Sequence, residues 1–215
     1  MHILGLTGSI AMGKSTVATM LRRFGIPVYD SDAAVHTLLS SAAMPTIAAT
    51  FPDAIQDGVV DRLALGSRVF GDPVQLRQLE AILHPLVRQA EKRFLQRAAT
   101  RHTTLVALEI PLLFETCSEQ RCDTVVVVTA PQFLQTQRAL CRVGMTLHKL
   151  EAIRLRQTPE IEKRRRAHFV VPTGLGLRAT VRCLMRVIGI ARMCPSHHWP
   201  PRPLSGMSRQ GRHYA

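Results

Sequence analysis

The sequence predicts an α/β fold, a central parallel sheet layered between helices, and three observations carry that prediction. Short apolar runs, "HILGL", "IPVYD", "TLVALE" (104–109) and "DTVVVVT" (123–129), have the two-sided hydrophobicity of strands buried on both faces. Segments of helical periodicity separate them. A glycine-opened loop then joins the first strand directly to the first helix.

Taken in order, "HILGL" runs into Gly8, and the helix that follows, "KSTVATMLRRFG", stops at Gly25. "IPVYD" ends on Asp30, with a helix from about Asp32 to Leu39. Residues 44–100 are helical in pattern, with breaks at Pro52, Gly58, Gly71 and Pro73. That is too much helix for one crossover, so a helical substrate-side subdomain is expected there. Residues 137–166 carry nine Lys or Arg against three Glu, interrupted by Gly144 and Pro159, and are expected to form a mobile basic lid. "HFVV" (168–171) and "LRATVRCLMRVIG" complete the domain as a last strand and a last helix. The expected division is a main domain over 1–190 and a Pro-, Arg- and His-rich tail over 191–215, the tail expected to be disordered because its composition shifts to Pro, Arg, His and Ser with no acidic residue.

Composition narrows the functional classes. With 215 residues, 46% hydrophobic and 20% charged, the chain can bury a substantial core. No stretch approaches the roughly 18–20 uninterrupted apolar residues of a membrane helix, and "MHILGLTGS" has neither a charged leader nor a small-residue cleavage site. A cytoplasmic protein without a membrane partner is expected. Five cysteines, Cys117, Cys122, Cys141, Cys183 and Cys194, form no C-x-x-C pair, which points to reduced thiols. Cys194, His197 and His198 are a weak candidate metal set. The net charge of +13 raises nucleic acid as a partner. Against it stand an aromatic content of 5%, too low for stacking platforms, and an arginine bias with no asparagine that genome composition alone produces. No nucleic-acid partner is expected, and a basic surface suits polyphosphates equally well.

Residues 8–15, "GSIAMGKS", satisfy G-x-x-x-x-G-K-[ST] between a strand and a helix, the context that gives the motif its meaning. The fold class becomes a three-layer fold of P-loop NTPase type. Main-chain N–H groups and a helix N-terminus converge on phosphate oxygens, Lys14 meets the terminal phosphates, and the Ser15 hydroxyl ligates magnesium. Ser9, Ala11 and Met12 occupy interior loop positions where glycine is common, so a position requiring φ > 0 would be strained. A chain without asparagine has no N-K-x-D guanine-reading motif. Small-molecule kinases fit the length, the early loop and the lid, with the acceptor left open at this point.

A kinase must orient its acceptor hydroxyl. Asp30 and Asp32 stand at the carboxyl end of the second strand, where parallel sheets bind ligands. One can cap the next helix while the other serves as base or magnesium partner. Glu109 ends a strand where a magnesium-orienting acid is at home. Arg138 and Arg142, one helical turn apart, can clamp phosphate oxygens. His84 in "LHPL" is either a helix histidine or a ligand contact, and consecutive Arg164, Arg165 and Arg166 cannot all face one site.

With "GLTGSIAMGKSTVA", "VYDSDAAVH", "DRLALGSRVFGDP", "LEAILHPLVR", "EIPLLFET", "DTVVVVTAP" and "QTQRALCRVGMT" in this order, residues 2–189 resemble the dephospho-CoA kinase family. The D-x-D pair together with H-P-L and P-L-L-F-E carries the resemblance. It implies ATP-dependent phosphorylation of the ribose 3′-hydroxyl of dephospho-CoA, with Mg²⁺. It also implies Asp32 as the base, Lys14, Arg138 and Arg142 as catalytic cations, and Ala11, Met12, Gly13, Lys14, Ser15 and Thr16 around the ATP phosphates. Arg62 and His84 would lie near the acceptor, and 44–100 would be the CoA-side region. The chain departs from the family pattern at Ala11 and Met12 (usually Gly and Ser), at Glu109 (commonly Asp), and at His168, where Ala-Asp-x-Val-Ile is typical.

Overall fold

The computed structural model describes residues 1–69 and 72–200. Five strands, β1 (His2–Thr7), β2 (Val28–Asp30), β5 (Leu105–Glu109), β6 (Thr124–Thr129) and β7 (Phe169–Pro172), form one sheet in the order β2-β5-β1-β6-β7. Every pairing in it is parallel. The carboxyl ends of the strands therefore share one edge, and the register brings Asp30 beside Glu109 and Glu109 beside Leu6.

Period-two alternation sorts the strand side chains into two cores. Leu4, Leu6, Val126 and Val128 pack with Val17 and Leu21 of α1 (Lys14–Arg23) and with Leu184 and Ile188 of α9 (Leu177–Met193). Ile3, Val106, Leu108, Val125 and Val127 face the opposite way onto Leu95 and Ala98 of α5 (Pro73–Thr100) and onto Leu113 and Phe114. A three-layer sandwich follows.

The 44–100 region has its own core around Ile47, Phe51, Val60, Leu65 and Leu83, joined by Leu39 of α2 (Ser31–Leu39). It contains α3 (Met44–Thr50), α4 (Arg62–Val69) and α5, and one element the helical reading missed. Between α3 and α4, β3 (Ile55–Gln56) and β4 (Val59–Val60) pair as an antiparallel hairpin. Its turn, Asp57-Gly58, has φ of 50° and 74°, the two left-handed residues of a type I′ turn. Pro73, read as a break, is instead the first residue of α5, whose N-cap Asp72 accepts from the N–H of Val74 and Gln75.

The 137–166 segment comprises the end of α6 (Gln132–Leu140), α7 (Leu147–Arg156) and α8 (Glu160–Arg166). Its Leu150 and Lys163 are completely buried, so the segment is docked on the body. The tail boundary also moves. The chain is still helical at 191–193, and farther on Trp199 packs against the second core while Asp123 accepts from the N–H groups of His197 and His198. The rest of the expected tail, 201–215, lies outside the described residues. Among the described residues no three His, Cys, Asp or Glu side chains stand so as to hold a metal ion, Cys194, His197 and His198 included. No described helix is long and apolar enough to cross a membrane.

The loop after β1 comes so close to β6 that a Cβ at Gly8 would stand 2.6 Å from the Val128 carbonyl oxygen. Backbone cannot yield as a flexible side chain can. Gly8→Ala is expected to cost about 1–3 kcal/mol of stability, read as a lower chemical-denaturation midpoint with unchanged slope.

Candidate active site

The geometry starts at the loop 8–13. Gly13, the N-cap of α1, has φ 92°, and no side chain caps the helix. The first N–H groups of α1 therefore lack intrahelical and side-chain partners, and no acidic residue occupies the first turn. This is a positive pole open to an anion. Ala11 is the loop residue that takes φ of 58° without being glycine, at a cost of about 1–2 kcal/mol. Its methyl packs with Ala139 and the completely buried Leu150, which offsets part of that strain. Met12 is buried; its sulfur accepts from the Ala130 N–H at 3.1 Å and its carbonyl from the Thr173 hydroxyl at 2.7 Å. The two departures from glycine and serine are thus packing residues that tie the loop to its surroundings.

Lys14 folds back to donate to the Gly8 carbonyl at 3.1 Å. Burial lowers its pKa below the usual ammonium value, with Glu109 and Asp32 opposing that shift. The two acids after β2 divide their roles. Asp30 is the N-cap of α2 and accepts from the Ala33 N–H at 2.9 Å. Asp32, one position inside the helix, has no hydrogen-bond partner among the described residues and faces open space. Burial raises the Asp32 pKa, Lys14 pulls it down, and Asp30 pushes it up again. Glu109 is buried at the end of β5, its pKa raised first by burial and then by Asp30, with Lys14 and Arg22 opposing. Asp32 and Glu109 thus both lean on the Lys14 ammonium, and burial is the first cause of each raised value.

Two cavities flank this group. One, of about 300 Å³, is lined by Ala11, Met12, Gly13, Lys14, Ser15 and Thr16 and by Arg138, Arg142 and Thr173. The other, of about 570 Å³, has Asp32, His84, Arg88 and Glu115 in its walls. Arg138 is fixed, donating to the Thr173 hydroxyl at 3.1 Å and carbonyl at 2.9 Å. The Arg142 side chain makes no hydrogen bond or ion pair among the described residues, so its guanidinium is available to a ligand. Arg62 opens α4, exposed, and is not among the residues lining either cavity.

Several residues that shape the site were not singled out from sequence. Thr173, just beyond β7, joins Met12, Thr129 and Arg138 in one network behind the loop. Ser9 donates to Glu160, the Ile10 N–H to Gln157, and Gln135 to the Ile10 carbonyl, so three side chains on or beside the lid helices hold the loop. Lys163 lies 3.1 Å from Glu115, which also accepts from the Thr158 N–H. Burial alone would raise the Glu115 pKa, but those two donors hold it below the usual range. A lone lysine in a charge-dense helix gives no sequence signal of burial. His168 stands away from the loop 8–13: before β7, its Nδ1 accepts from the Val125 N–H at 3.1 Å, on the sheet edge opposite the site.

Comparisons with known proteins place the chain among its relatives. Residues 2–176 match the family model described as dephospho-CoA kinase. The dephospho-CoA kinase of Mesorhizobium japonicum is 55% identical over 179 residues, 83% of this chain and 91% of that protein. That of Rhodospirillum rubrum is 54% identical over 194 residues, 88% of this chain and 92% of that protein. Among solved structures, TT1252 from Thermus thermophilus superposes with a TM-score of 0.81 at 37% identity, covering 88% of this chain and 96% of that one. Dephospho-CoA kinase from Campylobacter jejuni, at 24% identity and a TM-score of 0.67 over 89% and 97% of the two chains, shares the fold.

Because Lys163 is completely buried with the half-buried Glu115 as its charge partner, removing Glu115's charge strands Lys163, and removing Lys163 leaves Glu115 without its cation. Lys163→Met is expected to cost about 3–5 kcal/mol, and the double variant Lys163→Met/Glu115→Leu to recover part of that loss in denaturant unfolding. Ala11→Gly removes both the strain and the methyl contact, so its stability should stay within about 1 kcal/mol of the parent, measured the same way.

Proposed function

The chain belongs to the dephospho-CoA kinase family, and on that premise we propose that it transfers the terminal phosphate of ATP to the ribose 3′-hydroxyl of dephospho-CoA, giving CoA and ADP in the last step of coenzyme A biosynthesis. The observation that carries the reading is that Lys14, in the wall of the cavity at the uncapped start of α1, interacts electrostatically with Asp32, in the wall of the cavity formed with the CoA-side helix α5. Phosphoryl transfer needs donor and acceptor on opposite sides of one point.

The ATP phosphates lie along Ala11–Thr16, where main-chain N–H groups supply donors already aimed inward. Lys14 leaves the Gly8 carbonyl and neutralises the terminal phosphates. Arg142 closes over them from α6's end, and Arg138, held by Thr173, sets the distance of that face. Asp32 accepts the proton of the acceptor hydroxyl as its oxygen bonds to the γ-phosphorus; the bond from that phosphorus to the β-bridging oxygen breaks, and ADP departs with the electron pair. The raised Asp32 pKa makes it a stronger base than a solvated aspartate. His84, in the same cavity wall as Asp32, contacts the acceptor ribose or its base. Arg62 is assigned to the acceptor side through the family resemblance alone, since it lines neither cavity.

A magnesium ion fits the residues at hand. Mg²⁺ seldom uses an all-protein cage and is held by one or two side chains with substrate phosphates and water. Ser15, whose hydroxyl donates to no described residue, would hold it, with Glu109 and Asp32 nearby to orient its water. Bound there, it would neutralise charge on the transferred phosphate chain. The carboxylates crowded around Lys14 are the electrostatic environment such a cation relieves.

A coupled ADP-release assay across dephospho-CoA, nucleosides and sugars tests the acceptor: turnover should be strongly preferred with dephospho-CoA, and preference for another alcohol would reassign the enzyme. Asp32→Ala should lower kcat by about 10²–10⁴-fold while ATP still binds in a fluorescence titration. Lys14→Met should cost about 10²-fold or more in kcat/KM, seen by initial rates. The base works only when ionised and its pKa is raised, so kcat/KM should fall as pH decreases with an inflection above the ordinary aspartate value. Asp32→Asn should remove that limb together with the activity.

A further inference from the structure

Beyond the acceptor cavity, on the far side of Arg88, Glu91 and Arg121, lies a second cavity of about 550 Å³ that shares those three residues with it. Helix α5 floors both: His84 faces the first, Arg88 and Glu91 face both, and Lys92 and Leu95 face the second. Eleven residues of helix separate His84 from Leu95, a run of about 16 Å. The outer wall of the second cavity is His197, His198 and Trp199, part of the C-terminal segment that lies past the family match at residue 176.

That segment is held in place. One carboxylate oxygen of Asp123 accepts from the N–H groups of His197 at 2.5 Å and His198 at 3.2 Å, while the other accepts from the Ile3 N–H at 2.7 Å. Trp199 is half-buried on the core formed by Ile3, Leu95 and Val125. The charge of the track is also unbalanced. Glu91 is paired with Arg121, but Arg88 and Lys92 have no hydrogen-bond or ion-pair partner among the described residues. A track that starts at a carboxylate, passes unpaired cations and ends at an indole with two imidazoles suits a ligand that is anionic in its middle and neutral and amide-bearing at its end.

Resting on the reaction assigned above, we propose that the C-terminal segment around His197–Trp199 is a substrate-specificity wall that receives the pantetheine arm of dephospho-CoA. The ribose sits at Asp32 and His84, the diphosphate passes Arg88 and Lys92, and the amide-bearing arm lies across Trp199. Charge-assisted hydrogen bonds position the diphosphate. The indole offers the arm an apolar face with one N–H donor, and the imidazoles offer its amides further hydrogen-bond partners.

The test compares the full-length chain with Trp199→Ala, with His197→Ala/His198→Ala, and with a chain ending at Met193, using KM for dephospho-CoA, KM for ATP, and inhibition by 4′-phosphopantetheine, which carries the arm without the reacting ribose. The expected result is a roughly three- to tenfold rise in KM for dephospho-CoA, an unchanged ATP KM and kcat, and inhibition by 4′-phosphopantetheine that competes with dephospho-CoA in the parent and weakens by a similar factor in the variants. Unchanged dephospho-CoA KM, equal rises in both KM values, or 4′-phosphopantetheine inhibition that is insensitive to the tail overturns the proposal. The single-residue variants decide the matter if the shortened chain does not fold. A full-length chain that phosphorylates another alcohol instead of dephospho-CoA overturns the assigned reaction, an outcome separate from normal turnover with an inert tail.

Discussion

The site depends on one constraint: the loop 8–13 must present its main-chain N–H groups inward with no side chain capping α1. A helix start left this way is stable only if something else holds the chain in an uncommon backbone conformation. Here the holding comes from all sides. Gly8 touches β6, Thr173 reaches the Met12 carbonyl, Gln135 and Gln157 bracket Ile10, and Ala11 wedges its methyl against α7. The positive pole is therefore preformed, and an anion entering it does not have to organise the loop first.

Charge balance around the pole follows the same economy. Lys14 is shared by Asp32 and Glu109, with Arg22 also acting on Glu109, and the partly desolvated acids hold raised pKa values that a bound cation would lower. On the other side of the loop, the buried Lys163 is matched to the half-buried Glu115, and this pair joins α8 to the segment after β5 that helps form the acceptor cavity. The basic lid thus has two populations. Arg142 is exposed and unengaged, suited to meeting phosphates, whereas Lys163, Arg138 and Arg154 are committed to the protein. A count of positive charge does not separate them, because burial and partner decide which is which.

Much of this was legible. The strands announced themselves as short apolar runs, and the motif at 8–15 required the strand–loop–helix order that is present. The division of labour between Asp30 and Asp32 was foreseeable in kind, since two acids two residues apart before a helix cannot both cap it. The hairpin at 55–60 was missed although Asp57-Gly58 is a strong turn signal, because two-residue strands are too short for alternation to register. Strain at a non-glycine loop position was anticipated, but that Ala11 bears it while Met12 does not required coordinates.

The sequence by itself determined the layered sheet, the anion-binding loop and the placement of carboxylates at the strand ends, because these follow from local spacing: period two, period 3.6, and glycine where the chain must turn. Only the tertiary structure decided that Thr173 stands behind the loop, that Lys163 is an interior residue, and that the C-terminal segment walls a cavity 100 residues away in the chain. Each of those rests on contacts between residues far apart in sequence, and no local pattern encodes which distant partner will satisfy a hydroxyl, an ammonium or an indole.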